Sequence, residues 1–306
     1  MKASEFYSPW EGDEAAASWD EVLAAITRIC EISGNRALAW RGQANSAWSL
    51  HSSLYRHLCA AKTWKRSSGE NDLFKYEKEV LKYVRDGWRD SHIPYLELLA
   101  QLQHHGAPTR LIDVSLNPLV ALWFAVEPDS RGESNNDGRL FAFDVTQTPV
   151  PSTTEWFGNN IPWGSESLQK KVDWCYELPF FWRPPAYNQR IPAQYSGFLV
   201  GGVPKVKEGR NMQYRKKPGE NSTWRIDEVR SVTSVPMRMN DRSRGVSTRG
   251  TPTFTFKIDN NAKEEVRMML EDRFGIKSST IYPDPFGMAV ETKKVIEKKL
   301  IAVNFS

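Results

Sequence analysis

The chain has 306 residues, of which 40% are hydrophobic and 25% are charged, and this composition suits one large globular domain or two small ones. No apolar run approaches the roughly 18–20 residues of a membrane-spanning helix, and the acidic N-terminus lacks an apolar signal core, so we expect a cytoplasmic protein without membrane segments. The three cysteines, Cys30, Cys59 and Cys175, have no metal-type spacing and are expected to be buried thiols rather than a disulfide framework or a zinc site.

The formal net charge of +4 is unevenly distributed. The basic segment, Lys205–Arg249, holds twelve Lys or Arg against five Asp or Glu, so it carries +7 and the rest of the chain −3. Because it is also poor in large apolar residues, it predicts an extended, solvated insertion, with a weak nucleic-acid contact as the alternative. The predicted organisation is a helical lead-in (1–35), a core (36–204), the basic insertion (205–250) and a C-terminal return to the core (251–306).

Helices and strands are predicted in an irregular order. Ser18 caps a first helix that extends to Ile32, Glu21 occupies the third helical position, and Gly34 ends the helix before the short strand ALAWRG. The further predictions are helices over Asn71–Arg85 and about Pro94–Gln103, a strand over Thr109–Val114, a helix opened by Asn117-Pro118, a strand over Arg139–Val145, a strand pair around RIPAQYSGFLV (190–200), a strand TFTFKID (253–259), a helix AKEEVRMMLEDRF (262–274) ended by Gly275, and a last helix near Met288–Leu300. Without regular strand–helix alternation, the α+β class is favoured.

Polar groups interrupt the core-forming segment Leu99–Ala125. His104, His105, Arg110 and Asp113 lie between two apolar stretches, and buried charge must be paired or must serve a ligand. Structural explanations stay open for three of them: Arg110 could pair with Asp113, Asp113 could cap the next helix, and His104 could cap the carbonyls of its own helix.

Arg41 is the strongest candidate for a ligand contact. It ends an apolar strand, and the following Gly42 would let a ligand approach the backbone, an arrangement suited to a bidentate grip on phosphate. A third polar spot at the end of an apolar element contains Gln189 and Gln194. We therefore predict one cleft onto which these residues converge: Arg41, His104, Arg110, Asp113 and Gln194.

Several motifs resemble those of the FRG domain family, which is found in bacteria and some phages. They are WRGQ, WSLHSSLYR, QHHGAPTRLIDVSLNPLVALWFA, NQRIPAQYSGF and the terminal GIKSSTIYPDPFGMA, and they cover most of Leu38–Ala289. The family is named for an (F/Y)-R-G motif, in which Trp40 here replaces the aromatic residue.

A more distant resemblance links three of these motifs, in the same chain order, to ADP-ribosyltransferases of the Arg–Ser–Glu type. Trp40-Arg41-Gly42 is similar to the strand whose Arg binds the NAD phosphates, and Asp113-Val114-Ser115 with its following helix is similar to the S-T-S element. The segment Arg190–Phe198 resembles the strand that follows the catalytic Glu. The resemblance implies a small split or mixed β-sheet core and NAD as substrate, without a metal.

The polar positions and this resemblance together predict roles for nine residues. Catalytic roles fall to His104, Asp113 and Gln194, and binding roles to Arg41, Gly42, Gln43, Arg110, Ser115 and Gln189. Asp113 replaces the first Ser of S-T-S, and the Glu position falls near Gln189 or Gln194, which are neutral. Loss of a well-placed carboxylate removes on the order of 2–4 kcal/mol of transition-state stabilisation, so Asp113 or Glu97 would have to supply it.

Three functions are compatible with these residues. The first is an NAD-consuming effector, either an ADP-ribosyltransferase or an NAD glycohydrolase, in toxin action or antiphage defence. The second is a non-catalytic FRG module that senses or binds a nucleotide, another small phosphate-bearing ligand or a phage component, with a protein partner left open. The third is a phosphodiesterase or nuclease built on His104, His105, Arg41 and Arg110; the adjacent His side chains point apart on regular structure, which argues against a shared metal.

Overall fold

The fold is described from a computed structural model. It describes residues 1–12, 14–61, 68–88, 93–128, 135–147, 149–150, 161, 163–171, 174–176, 179–206, 214–240, 252–285, 287–289, 291–293 and 295–296. The helices are α1 (Ala3–Glu11), α2 (Trp19–Ser33), α3 (Ser53–Ala60), α4 (Glu70–Trp88), α5 (Tyr95–His104), α6 (Pro118–Val126), α7 (Glu166–Lys171), α8 (Arg190–Ala193), α9 (Ile226–Arg230), α10 (Lys263–Phe274) and α11 (Ser278–Ile281). The strands are β1 (Leu38–Gln43), β2 (Ile112–Ser115), β3 (Gly138–Asp144), β4 (Pro149–Val150), β5 (Phe180–Trp182), β6 (Ser196–Val200) and β7 (Thr253–Ile258).

The seven strands form one continuous sheet in the order β4-β5-β6-β2-β1-β3-β7. Neighbouring strands are antiparallel except β4 and β5, which pair in parallel. The predicted α+β class is therefore confirmed, and the sheet is mixed but not split. Strand β1 lies near the centre, with β2 on one side and β3 on the other; it pairs with β3 from Leu38 to Gln43 and with β2 at Trp40.

Local sequence determines several helix ends. The Ser18 side chain accepts a hydrogen bond from the Glu21 amide at the start of α2, and the Asn117 side chain accepts one from the Leu119 amide at the start of α6. Gly275 ends α10 in the left-handed conformation, where a residue without Cβ is unstrained. These three predictions are confirmed.

Both faces of the sheet are covered, and alternate residues of each strand serve different cores. Leu140 and Ala142 of β3 pack with α2, α6 and α10, whereas Phe141 and Phe143 face the opposite core with α1. A third core joins α4 and α5 to Trp163 and Trp174 and to the β5–β6 end of the sheet.

The basic segment is partly buried over its described residues, 205–206 and 214–240. It contributes five buried residues to the core that faces α1, namely Tyr214, Val229, Val232, Val235 and Met237. Its backbone also pairs at Thr233 with Leu50 and at Met239 with Thr253. The prediction of a solvated insertion was wrong for this packed part because these apolar side chains, although few, are placed where the chain crosses the sheet face.

The N-terminal lead-in packs directly on the sheet. Glu11 of α1 forms an ion pair with the fully buried Arg139 of β3, and Ala16 forms a parallel bridge with Ile258 of β7. Helix α1 therefore belongs to the same folded unit as the core that follows it.

Some local predictions differ from the structure. The segment RIPA was expected to be a strand but forms the short helix α8, and Tyr195 then adopts a positive φ of 49° before β6 begins at Ser196. Strand β2 begins at Ile112, three residues later than predicted, and α1 and α3 were not predicted. In the predicted last helix, Met288–Leu300, the described residues 288–289, 291–293 and 295–296 are helical, and the others lie outside the described part of the chain.

Within the described part of the chain, no helix has the length and apolar character required to cross a membrane.

Candidate functional site: a basic cleft beside the central strands

A cleft of about 340 Å³ lies beside three adjacent strands, β6, β2 and β1. Six residues predicted for the site line it: Arg41, Gly42, His104, Asp113, Ser115 and Gln194. Each of the three motifs that resemble ADP-ribosyltransferase elements contributes to this lining. The volume is within the range of small-molecule sites.

The Arg41 guanidinium is held by the backbone of the neighbouring strand. Its Nη1 donates a 2.6 Å hydrogen bond to the Asp113 carbonyl oxygen and lies 4.0 Å from the carboxylate Oδ2 of the same residue. The buried Nε has no hydrogen-bond partner within the described structure. Burial lowers the pKa of the Arg41 guanidinium, which Asp113 opposes, and the positive charge of Arg56 lowers it further. An arginine that is held in one orientation and has a buried N–H donor without a partner is suited to bind an anion.

A short relay orients the Asp113 carboxylate. The Thr109 hydroxyl donates to Gln103 Oε1, and Gln103 Nε2 donates a 2.8 Å hydrogen bond to Asp113 Oδ1. The Asp113 side chain is 67% exposed, whereas that of Arg41 is 19% exposed. The carboxylate is therefore both fixed in direction and accessible to a ligand in the cleft.

Ser115 and Gln194 connect β2 to the turn before β6. The Ser115 hydroxyl donates to the Gln194 carbonyl oxygen at 2.7 Å and accepts from the Asn117 amide at 3.0 Å. The Gln194 side-chain amide donates to the Ile281 carbonyl oxygen at 3.0 Å. Both side chains line the cleft, but their described hydrogen bonds hold the backbone around it.

The C-terminal segment forms one wall of the cleft. Arg190 donates through Nε and Nη2 to the two oxygens of Asp284, and its guanidinium lies 5.1 Å from the centre of the Tyr282 ring. Hydrogen bonding from Arg190 lowers the pKa of the Asp284 carboxyl despite partial burial, which raises it. Tyr282 also meets Trp123 and Phe124 edge to face, so this wall is aromatic with one embedded ion pair.

The surroundings of His104 favour the neutral form of its imidazole. Burial lowers the pKa of its imidazole, and the positive charge of Arg190 lowers it further. The ring lies 4.9 Å from that of His105, nearly perpendicular to it. Among the described residues, no group of three or more His, Cys, Asp or Glu side chains is arranged to hold a metal ion. A neutral imidazole in the cleft can accept a proton.

Arg110 does not reach the cleft. Its side chain is 1% exposed and lies in the third core, where Nε donates to Glu77 at 2.7 Å and Nη1 to Glu70 at 2.8 Å. Burial alone would lower the pKa of Arg110, but the two carboxylates raise it above its ordinary value. The predicted ligand role was wrong because the true partners are 40 and 33 residues away, whereas Asp113 is close only in sequence.

Three other predicted site residues have roles different from those expected. Gln43 is buried and donates to the Ser49 carbonyl oxygen, and Gln189 precedes α8; neither lines the cleft. Gly42 lines it, yet a Cβ on Gly42 would overlap the Ala121 carbonyl oxygen and lie 2.6 Å from the Ala125 nitrogen. Glycine is required at this position for the close packing of α6 on β1, rather than for the approach of a ligand.

Sequence reasoning missed most of the aromatic and C-terminal lining. The missed residues include Gln103, Phe124, Tyr187, Asn188, Arg190 and Tyr282. Tyr282 and Asp284 belong to the terminal motif IYPD, so that motif was the available signal.

Residues 36–134 match the family model described as FRG domain, which is 99 of the 306 residues. This part of the chain is therefore similar to the FRG domain. The match spans β1 to α6 and so includes Arg41, His104, Asp113 and Ser115 of the cleft, whereas Gln194 and the C-terminal wall lie beyond it. No curated protein and no solved structure matches the chain significantly. The site is therefore described from its own geometry.

Replacing Asp284 with asparagine should loosen the C-terminal wall. The ionised carboxylate is stabilised by Arg190, so its contribution to folding is present above the ordinary carboxyl pKa and is lost as the pH falls through the lowered folded-state value. In urea denaturation, Asp284→Asn should be less stable than the wild type at neutral pH, by roughly 0.5–1.5 kcal/mol for a partly buried pair. The difference should shrink in acid; a difference that grows below pH 4 would contradict the assignment.

Proposed function

We propose that this protein binds NAD in the cleft and cleaves the bond between nicotinamide and ribose. The observation that supports this most is the meeting of three residues around one cleft: Arg41 on β1, Ser115 on the adjacent β2, and Gln194 in the turn before β6. These residues come from the three motifs that carry the resemblance to ADP-ribosyltransferases.

The charges of the cleft suit a diphosphate. Arg41 and Arg190 both line it, and each guanidinium is oriented by a carboxylate or carbonyl partner that leaves it positively charged. Phe124 and Tyr282 add aromatic surface against which a planar ring can pack. A ligand with a diphosphate between planar heterocycles combines both requirements.

Asp113 and His104 are the groups available for chemistry. Cleavage breaks the C1′–N1 bond, the bonding electron pair leaves with nicotinamide, and the ribose becomes an oxocarbenium-like ion. The Asp113 carboxylate, fixed by Gln103, would stabilise that positive charge. Water, or the hydroxyl of an acceptor, then attacks C1′ and gives its proton to the neutral His104 imidazole or to Asp113.

A binding module without turnover is the second candidate function. One observation favours it: the Gln194 side chain, at the position where the resemblance places the catalytic Glu, donates its amide to the Ile281 carbonyl oxygen. It therefore holds the C-terminal wall and carries no charge.

Incubation of purified protein with NAD distinguishes the two candidates. Released nicotinamide, together with ADP-ribose or a modified acceptor, would support cleavage, and a falling NAD pool in expressing bacteria would extend it to an effector role. Saturable NAD binding without nicotinamide release would support the binding module. Neither binding nor release would overturn both.

Arg41→Lys tests the proposed phosphate contact. Lysine keeps the charge but cannot make two parallel hydrogen bonds, so NAD or ADP-ribose binding should weaken by roughly 1.5–3 kcal/mol. Calorimetric titration measures the affinity and thermal unfolding reports the fold, with Arg28→Lys on an exposed face of α2 as the matched control. A large fall in melting temperature with unchanged affinity of the folded protein would make Arg41 a structural residue instead.

A further inference from the structure

A smaller cavity of about 160 Å³, here called the side pocket, adjoins the cleft. Arg41, Gln103 and Asp113 line both cavities, so these three residues form the boundary between them. The side pocket is otherwise built from residues that the proposed reaction does not use.

Two sequence motifs contribute most of its lining. His51, Ser52, Ser53 and Arg56 come from WSLHSSLYR, at the start of α3, and Gly106 and Ala107 come from QHHGAPTR, after α5. The first motif lies within the FRG match but contributes no residue to the main cleft. Residues of this motif and Arg41 therefore line the same side pocket.

The side pocket carries a net positive charge. Arg41 and Arg56 line it, against Asp113 as the acid among its described lining residues. His51 adds no charge, because burial lowers the pKa of its imidazole to about 4 and its Nε2 pairs with the Arg230 carbonyl oxygen at 2.9 Å. Ser53 is also engaged, since its hydroxyl pairs with both the carbonyl and the amide of Thr109. Arg41 and Arg56 are thus the positively charged donors among the described residues that line the side pocket.

Their remaining hydrogen-bonding capacity indicates what that group is. Arg56 donates through Nη1 to the His51 carbonyl oxygen at 2.8 Å, which fixes its direction, and Arg41 keeps its buried Nε unused. Two guanidinium groups from different elements match a dianion with oxygens in several directions better than a planar carboxylate.

We propose that the side pocket is a phosphate-binding site, in which Arg56 and Arg41 hold one phosphate group. The phosphate could belong to the nucleotide in the adjoining cleft or to a second ligand, such as a phosphorylated acceptor. The proposal does not require NAD cleavage, because a cleft without turnover would leave the two arginines unchanged.

The test compares inorganic phosphate and ADP-ribose as probes, titrated calorimetrically into the wild type, Arg56→Gln, Arg56→Lys and Arg28→Gln. Phosphate affinity should fall at least tenfold in Arg56→Gln, less in Arg56→Lys, and by less than twofold in Arg28→Gln, which removes an equally charged, exposed arginine of α2 that does not line the side pocket. Thermal unfolding should be nearly unchanged in all three, since Arg56 is exposed.

The pattern across probes identifies the source of the phosphate. Weakening of both probes by Arg56→Gln would support a nucleotide phosphate, and weakening of inorganic phosphate alone would support a second ligand. Wild-type protein that does not bind phosphate at millimolar concentration, or an Arg56→Gln variant that binds both probes like the wild type, would overturn the proposal. Nicotinamide release by the wild type is measured separately, so failure of the proposed function leaves this result readable.

Discussion

Replacing Arg110 with methionine should lower the free energy of unfolding by about 3–5 kcal/mol, because it leaves two buried carboxylates without a counter-charge. Glu70 and Glu77 are almost fully buried and bind Arg110 directly. The Trp174 and Trp163 indole N–H groups donate to them at 2.9 and 3.0 Å, and the Tyr95 hydroxyl donates at 2.7 Å. Denaturant unfolding at neutral pH measures the change.

Two comparisons separate charge from packing. Arg28→Met, at an exposed site, should change the free energy of unfolding by no more than about 0.5 kcal/mol. Adding Glu70→Gln and Glu77→Gln to Arg110→Met should recover part of the loss, because the uncompensated charges are then removed. A loss below 1 kcal/mol in Arg110→Met would show that the carboxylates are compensated by other groups.

Replacing Gly42 with alanine is expected to be, together with Arg110→Met, one of the two most destabilising single changes. The new Cβ would overlap the backbone of α6 at Ala121 and crowd the Ala125 nitrogen, and backbone atoms cannot rotate away as a side chain would. Separating α6 from β1 should cost about 1–3 kcal/mol or somewhat more, as overpacking of cores does. The displacement would also disturb the cleft, so ligand affinity should fall together with stability.

Gly87→Ala is the matched control for this substitution. Gly87 lies in α4, and no atom outside its own helix turn comes within 4 Å of the position that a Cβ would occupy, so alanine should stabilise the protein by up to about 1 kcal/mol through helix propensity. The same chemical change should therefore act in opposite directions at the two sites. Gly42→Ala with wild-type stability and ligand affinity would show that α6 can shift at little cost.

The sequence predicted the elements whose ends are decided by neighbouring residues. Ser18, Asn117 and Gly275 act within a few residues of their own position, so their roles could be inferred without tertiary structure. Helix α8 was missed because four residues are too few for a helical period to be recognised, and only a short turn that includes Tyr195 separates it from β6.

The sequence predicted the site residues that belong to recognisable motifs. It failed for residues whose role depends on contacts with segments far away in the chain. Arg41, Asp113 and Gln194 do meet, as expected. Arg110 was assigned to the cleft because its partners, Glu70 and Glu77, lie on a helix whose inward face could not be matched to it from spacing alone. The role of Gly42 depends on the distance between α6 and β1, which no sequence pattern reports.

The two outer edges of the sheet determine how readily this chain associates with itself at high concentration. The outer edge of β7 is occupied at one end by Ala16, through hydrogen bonds with Lys257 and Asp259, and at the other by Arg238 and Asn240, which bond to Thr253. At the opposite end, the described part of β4 is two residues long and begins with Pro149, which has no amide to donate. Unpaired strand edges are templates for intermolecular pairing, so these contacts protect the protein from edge-to-edge aggregation. Truncation before Trp19 would uncover the end of the β7 edge that Ala16 occupies and favour self-association.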